Sequence, residues 1–281
     1  MPARLLDGAA LARTTLDAVA EDVAEGVAGG ARPPLIATVL VGDDPASHTY
    51  VRMKVRRAER AGMLARSIRL PASSTTEEVV GTIEDLSRDP EVDGILLQHP
   101  VPEQVDERAA FEAIAVDKDV DGVTWASFGR MAFHGGGFGC ATPAGILRLL
   151  DAYDVALPGA EVVVVGQGPI LGKPLSALLT ARGATVTSCH RLTRDLRGHV
   201  ERAEVLCVAV GVPELIPGEW VRPGAVVVDA GYNEGNVGDV EGAAAAERAS
   251  LITPVPGGVG PMTVAVLLDQ TRQAWRAHLG I

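Results

Sequence analysis

Unbroken apolar runs alternate with amphipathic stretches along this chain. Leu35-Ile-Ala-Thr-Val-Leu-Val41, Asp93-Gly-Ile-Leu-Leu-Gln98 and the valines from Glu161 to Val165 lack the period-two alternation of a half-exposed strand. They read as strands covered on both faces. Residues 66–70, 184–188, 203–210 and 225–229 read as further strands. Between them lie helical patterns: residues 8–28, closed by Gly29-Gly30; Ser47 to Ala61, with Gly62 as a stop; Thr75 to Arg88, opened by a Thr cap with Glu77-Glu78; residues 170–182; and Thr263 to Leu279. Caps and terminal glycines set these limits. Residues 130–142 are Gly-rich and read as an irregular connection, and Ala243 to Ala246 as a short helix or loop. Strand and helix alternate on both sides of that connection, so the fold class is α/β with parallel sheets.

A length of 281 residues suits one large or two ordinary domains, and 47% hydrophobic residues supply a substantial core. The net charge of −11 is spread along the chain, which argues against non-specific nucleic-acid binding. Cys140, Cys189 and Cys207 are odd in number and show no ligand spacing. Neither a disulfide framework nor a metal site is expected, and a reducing compartment is. Met1 to Leu16 carries Asp7 and no unbroken apolar stretch, so it does not read as a signal peptide. With no apolar run of membrane-spanning length, the expected location is the cytoplasm and no membrane partner is expected.

Chemistry enters at four places. Gly166-Gln167-Gly168-Pro169-Ile170-Leu-Gly172 follows a Val-rich strand and opens a helix. Its third glycine stands one residue later than in the usual dinucleotide fingerprint. Glycines there let the backbone turn and approach a pyrophosphate at a helix N-terminus, although a plain tight turn would read the same way. At the end of the next strand, His190-Arg191-Leu-Thr193-Arg194 has no acid before Asp195. Arginine forks suit a 2′-phosphate, which favours NADP and leaves NAD possible. Tyr50 and Lys54 lie four residues apart on one helix face. A lysine turned into a cleft loses hydration and can exchange protons near neutrality, but so basic a helix is commonly a solvated face. Gln98 ends a buried strand, where α/β proteins place binding groups. Asp121 sits in the acidic turn Asp119-Val-Asp121-Gly122 and could hold an aminopyrimidine-type ring, or could simply form the turn. His48, His99, His134, His199 and His278 show no ligand spacing and read as structural or surface residues.

Seven ordered segments resemble the bifunctional methylenetetrahydrofolate dehydrogenase/methenyltetrahydrofolate cyclohydrolase family. They are S-x-x-Y-V-x-x-K at 47–54, G-I-L-L-Q-x-P-x-P at 94–102, K-D-V-D-G at 118–122, T-P-x-G at 142–145, V-V-G-x-G-x-x-x-G-K-P at 164–174, A-T-V-T-x-C-H at 184–190 and P-V-P-G-G-V-G-P-M-T at 254–263. The resemblance implies a folate-site domain over residues 1–142, joined by a returning C-terminal helix at about 264–281. A Rossmann-type NADP-binding domain would span 143–263. It implies Lys54 as the catalytic lysine, Tyr50 stacked on the aminobenzoyl ring, Gln98 tuning Lys54, and Asp121 binding the pterin. Gly166, Gly168 and Gly172 would cradle the cofactor. The 254–263 loop, with Pro256, Gly257, Gly258 and Thr263, would lie beside nicotinamide and substrate. A homodimer serving one-carbon metabolism and purine biosynthesis is also implied.

The sequence departs from that pattern at several positions. Gln167-Gly168 replaces Arg-Ser, and Arg191 replaces Ser after His190, as though the phosphate-binding arginine had moved from the first loop to the second. His99, Thr124, Trp125, Ser127, Cys140 and Ala141 also differ from the usual residues. Three further readings stay open: a dehydrogenase of another small substrate on the same two-domain plan, a relative that has lost one activity, and a non-catalytic nucleotide-binding regulator.

Overall fold

Each apolar run finds its hydrogen-bonding partners among strands of its own part of the chain, and two parallel sheets result. The structure is a computed structural model, and it describes residues 2–133 and 136–281; the reading of His134 lies outside them. In chain order the elements are β1 (Arg4–Leu5), α1 (Gly8–Ala28), β2 (Leu35–Val41), α2 (Pro45–Arg60), β3 (Leu64–Leu70), α3 (Thr76–Arg88), β4 (Gly94–Leu97), α4 (Glu107–Glu112), α5 (Trp125–Ala132) and α6 (Ala141–Ala152). There follow β5 (Glu161–Val165), α7 (Gly172–Ala181), β6 (Thr185–Cys189), α8 (Leu196–Arg202), β7 (Val205–Val208), β8 (Val226–Asp229), α9 (Gly242–Ala246), β9 (Leu251–Ile252) and α10 (Val259–Leu279). Residues Thr14–Ala141 and Val264–Ile281 make one compact unit; Met1–Arg13 and Thr142–Thr263 make the other.

In the first of these units the sheet order is β3-β2-β4, all parallel. All seven residues of β2 are buried, as its unbroken apolar run requires. Helix α2 starts where Asp44 accepts a hydrogen bond from Ser47 N at 2.7 Å, with Pro45 at its first position. It buries Val51 and Ala58. Helix α3 opens with a reciprocal capping box between Thr75 and Glu78 and buries Val79, Ile83 and Leu86. Trp275 of α10 is fully buried and donates from its indole N–H to Arg32 O at 2.7 Å. Its ring fills the space that a Cβ at Gly26 would need.

The other unit holds a six-stranded parallel sheet, ordered β1-β9-β8-β7-β5-β6. Strand order reverses about β5, and α/β sheets bind ligands at the carboxyl ends of strands beside such a reversal. The sequence reading began the N-terminal domain at residue 1. Here the first thirteen residues cluster with 142–263, because β1 pairs with β9 and Asp7 N donates to Tyr153 Oη at 2.8 Å. Two-residue strands carry no periodicity of their own, so both β1 and β9 escape a sequence reading. Helix α6 escapes it too: it begins Ala-Thr-Pro-Ala-Gly, which resembles a loop.

Replacing Trp275 by Ala should cost about 3–5 kcal/mol of stability, because it empties a large buried volume and removes the indole hydrogen bond. Urea unfolding measures this, and a loss below about 1 kcal/mol would contradict the packing described.

Candidate active site

Lys54 is carried on α2 with Tyr50 one turn before it, and Gln98 follows directly on β4. Gln98 stays in the sheet, its N–H donating to Val39 O at 2.8 Å, and it is 8% exposed. Its amide is oriented at both ends. Nε2 donates to His99 O at 2.7 Å, so Oε1 is left to accept from Lys54 Nζ at 3.0 Å. The lysine side chain is only half-buried by surface, yet its ammonium lies deep enough that burial pulls its pKa below the ordinary lysine value. The charge of Asp121 opposes that fall. Burial in turn pushes the Asp121 carboxyl above its ordinary range, against the charges of Lys54 and His99. Lys54 thus bonds to Gln98 and feels the Asp121 charge, and the three groups form one partly desolvated cluster. Tyr50 stands beside them on α2, 38% exposed.

The turn that presents Asp121 is held from several sides. Asp119 is fully buried and spends both carboxylate oxygens on the backbone, accepting from Val123 N at 3.0 Å and Thr124 N at 2.9 Å. Of the two acids in this turn, it is Asp119 whose carboxylate holds the turn. Gly122 has φ +67°, and a Cβ there would collide with Gly139 and Cys140, so only glycine fits. Gln270 of α10 clamps the turn, with Nε2 donating to Val120 O at 2.7 Å and Gly139 O at 3.0 Å. Sequence reasoning missed Gln270. In the sequence Gln270 stands in the polar stretch Asp269-Gln-Thr-Arg-Gln273, which gives no local signal of its role.

In the other unit the glycine turn leaves β5 and enters α7. Gly166 has φ +105°, and a Cβ on it would strike Ala209 O; a Cβ on Gly172 would strike Gly166 O. These two glycines are demanded by packing. Gly168 faces open space instead, so its missing side chain serves close approach from outside. No side chain caps the first turn of α7; Lys173 N already donates to Gly168 O at 3.1 Å and Pro174 has no N–H, so the Gly172 N–H is the donor this helix start can turn to an anion. Gln167 reaches across to Ser176 Oγ at 3.4 Å, and Pro169 and Ile170 complete the turn. After β6, His190 closes a tight loop. Its N–H donates to Thr193 Oγ1 at 2.8 Å, its Nδ1 accepts from Leu192 N at 3.2 Å, and Thr193 N donates to its carbonyl at 2.8 Å. That loop exposes Arg191 and Arg194. An uncapped helix start, an open glycine and two exposed guanidiniums fit a phosphorylated dinucleotide.

The 254–258 loop is braced within the same unit. Ala9 N donates to Gly257 O at 2.8 Å, and Gly8 leaves no room for a Cβ against Gly258 O. Thr263 Oγ1 lies 3.0 Å from Thr142 Oγ1. Of the remaining histidines, His278 is tied to the buried Asp93 at 3.0 Å and His99 lies edge-on to Phe111.

Comparison with known proteins gives a consistent result. Residues 6–121 match the family described as tetrahydrofolate dehydrogenase/cyclohydrolase, catalytic domain, and residues 140–279 match its NAD(P)-binding domain. The bifunctional protein FolD 1 of Salinispora arenicola is 60% identical over 99% of this chain and 100% of its own. Among solved structures, the bifunctional methylenetetrahydrofolate dehydrogenase/cyclohydrolase of Campylobacter jejuni is 36% identical, with a TM-score of 0.95 over 98% of this chain and 99% of that one. The corresponding enzyme of Trypanosoma brucei, solved with NADP cofactor and inhibitor, is 33% identical, with a TM-score of 0.95 over 100% of both chains.

The Lys54 charge is sustained by Asp121, so Asp121→Asn should lower the Lys54 pKa further. The chain has three lysines, Lys54, Lys118 and Lys173, so 13Cε-lysine NMR can follow each one. A Lys54 midpoint that stays put or rises in the variant would show that the two groups do not interact.

Proposed function

This chain belongs to the tetrahydrofolate dehydrogenase/cyclohydrolase family, and from that premise we propose how its own residues carry the two reactions. It is an NADP-dependent methylenetetrahydrofolate dehydrogenase and methenyltetrahydrofolate cyclohydrolase. The first reaction oxidises 5,10-methylenetetrahydrofolate to the 5,10-methenyl cation, and the second hydrolyses that cation to 10-formyltetrahydrofolate. The observation that carries the residue assignment is the 3.0 Å bond from Lys54 to Gln98 beside the charge of Asp121.

NADP, when bound, supplies the hydride acceptor for the first reaction. The protein's contribution to that step is positioning. The Asp121 carboxylate holds the pterin by paired hydrogen bonds, and Tyr50 stacks on the aminobenzoyl ring. Hydrolysis asks more of the side chains. Water adds to the methenyl carbon and must lose a proton. An amine whose pKa burial holds below the ordinary lysine value gives up its own proton more readily and can take one from the water. The carbinolamine then collapses: its C–N5 bond breaks as the C=O bond forms, the Lys54 ammonium gives its proton to N5, and the hydroxyl proton leaves to solvent. Gln98 keeps the lysine aimed throughout, because its own amide is fixed by His99 O.

The cofactor assignment rests on the glycine turn, the uncapped start of α7, and Arg191 with Arg194. In this reading the two arginines take the 2′-phosphate in place of an arginine at 167. Pro256, Gly257, Gly258 and Thr263 line the path of substrate and nicotinamide. A homodimer and a cytoplasmic location complete the proposal. The first is supported by the family resemblance, the second by three buried free thiols. Among the described residues, no helix is long and apolar enough to cross a membrane.

Lys54→Met should abolish hydrolysis of methenyltetrahydrofolate, by at least about a hundredfold, in protein that still binds NADP. Retained hydrolysis would remove Lys54 from the mechanism. Replacing both Arg191 and Arg194 by Ala should lower the ratio of kcat/KM for NADP over NAD by about ten- to a hundredfold, as loss of charge-assisted phosphate contacts implies. An unchanged ratio in a paired-cofactor assay would place the phosphate elsewhere.

A further inference from the structure

Two buried carboxylates in the dinucleotide-binding unit take no part in the chemistry above. Asp229 ends β8 and is 4% exposed; Asp239, ten residues on, is fully buried. No cation pairs with either among the described residues; both are satisfied by N–H groups instead. Asp239 Oδ2 accepts from Val210 N at 2.6 Å and Gly211 N at 2.9 Å, and its Oδ1 accepts from Asn233 Nδ2 at 3.0 Å. Asp229 Oδ1 accepts from Gly231 N at 2.9 Å and Asp239 N at 3.0 Å, and its Oδ2 accepts from Val240 N at 2.9 Å. Two glycines make room for the pair. A Cβ on Gly231 would strike the Asp239 carboxylate, and one on Gly238 would strike that of Asp229.

What the pair holds is informative. The Ala209–Val210 segment is the surface against which Gly166 packs without a Cβ, and Ala209 N donates to Val165 O at 2.8 Å. Asp239 thus fixes the backbone on which the glycine turn rests. At the other end, Asp229 N donates to Thr253 Oγ1 at 2.8 Å, and Thr253 Oγ1 donates to Asp229 O at 3.2 Å. Thr253 starts the 254–258 loop, and Gly258 packs back on its side chain. Burying two like charges without a counterion is unfavourable, and burial does push the Asp229 carboxyl upward in pKa. Plain loop closure could be met by neutral amides. A carboxylate's advantage is that each oxygen can accept from two N–H groups at once, which fixes their direction.

We propose that Asp239, seated on Asp229, is a positioning residue for cofactor binding: it sets the Val210–Gly211 backbone and through it the Gly166–Gly172 turn. This rests on the dinucleotide reading of that turn. Asp239→Asn keeps the shape but must aim an N–H group either at the Val210 and Gly211 donors or at Asn233 Nδ2.

The test compares wild-type and Asp239→Asn protein in two assays. One is NADP-dependent oxidation of methylenetetrahydrofolate; the other is cofactor-free hydrolysis of methenyltetrahydrofolate. Wild-type protein lacking both activities would overturn the functional reading itself. With wild type active, the variant should show a KM for NADP raised at least about tenfold while the cofactor-free hydrolytic rate stays within twofold. An unchanged KM for NADP, or a parallel fall of both activities in soluble protein, overturns the proposal. If Asp239→Asn yields no folded protein, Asn233→Ala decides. It removes one donor to Asp239, so a rise in KM for NADP with hydrolysis intact supports the proposal, and an unmoved KM overturns it.

Discussion

An amine taken partly out of water, and kept there by one amide and one carboxylate, is the constraint around which the folate-site unit is arranged. A lysine in that position is costly. It persists because Gln98 accepts its proton-bearing nitrogen and Asp121 lies close enough to oppose the loss of charge. The balance matters more than either contact. Burial favours the neutral amine and the Asp121 charge favours the ammonium, so the two act in opposite directions on one proton. The surrounding fold exists in good part to hold that balance: the buried end of β4 for Gln98, the capped start of α2 for Lys54, and the Asp119 turn clamped by Gln270 for Asp121.

The dinucleotide-binding unit solves a different problem, that of bringing bare backbone close to phosphate. Its parallel sheet reverses order about β5, and at that point Gly166 and Gly172 are demanded by packing while Gly168 opens outward. In the function proposed above, charge is supplied separately, by arginines after β6 on a loop closed by His190 and Thr193. Separating backbone geometry from charge in this way lets the arginine stand at 191 without disturbing the turn at 167. The buried carboxylates under the turn belong to the same logic, since a loop that must meet a ligand with its backbone cannot also satisfy itself against that ligand's site.

Much of this was legible along the chain. The runs at 35–41, 94–97 and 161–165 appear as strands because a fully buried parallel strand needs no alternation, and the cap at Thr75 marks where a helix starts; the Asp44 cap, which starts α2 at Pro45 and not at Ser47, shows only in the structure. Lys54, Gln98 and Asp121 were legible as a set because their segments occur in order with fixed spacing. The rest depended on contacts between distant residues. β1 and β9 exist only through each other, so the placement of the first thirteen residues could not be read locally. Asp119 and Asp121 share one acidic turn, and what Asp119 does there, accepting from the N–H groups of Val123 and Thr124, shows only in the structure. Gln270 stands among other polar residues of α10, and Asp229 and Asp239 end a strand and lie in a loop; their roles lie in which backbone groups they meet.

The central claim is that the desolvated amine at 54 manages the proton of hydrolysis. The most direct measurement is the pH dependence of methenyltetrahydrofolate hydrolysis by wild-type protein, corrected for the uncatalysed rate and set beside the titration of Lys54 itself. The account predicts a limb in the rate profile whose midpoint coincides with that of Lys54 and lies well below the ordinary lysine value of about 10.4. A limb at the ordinary value, or one that does not track Lys54, would contradict it.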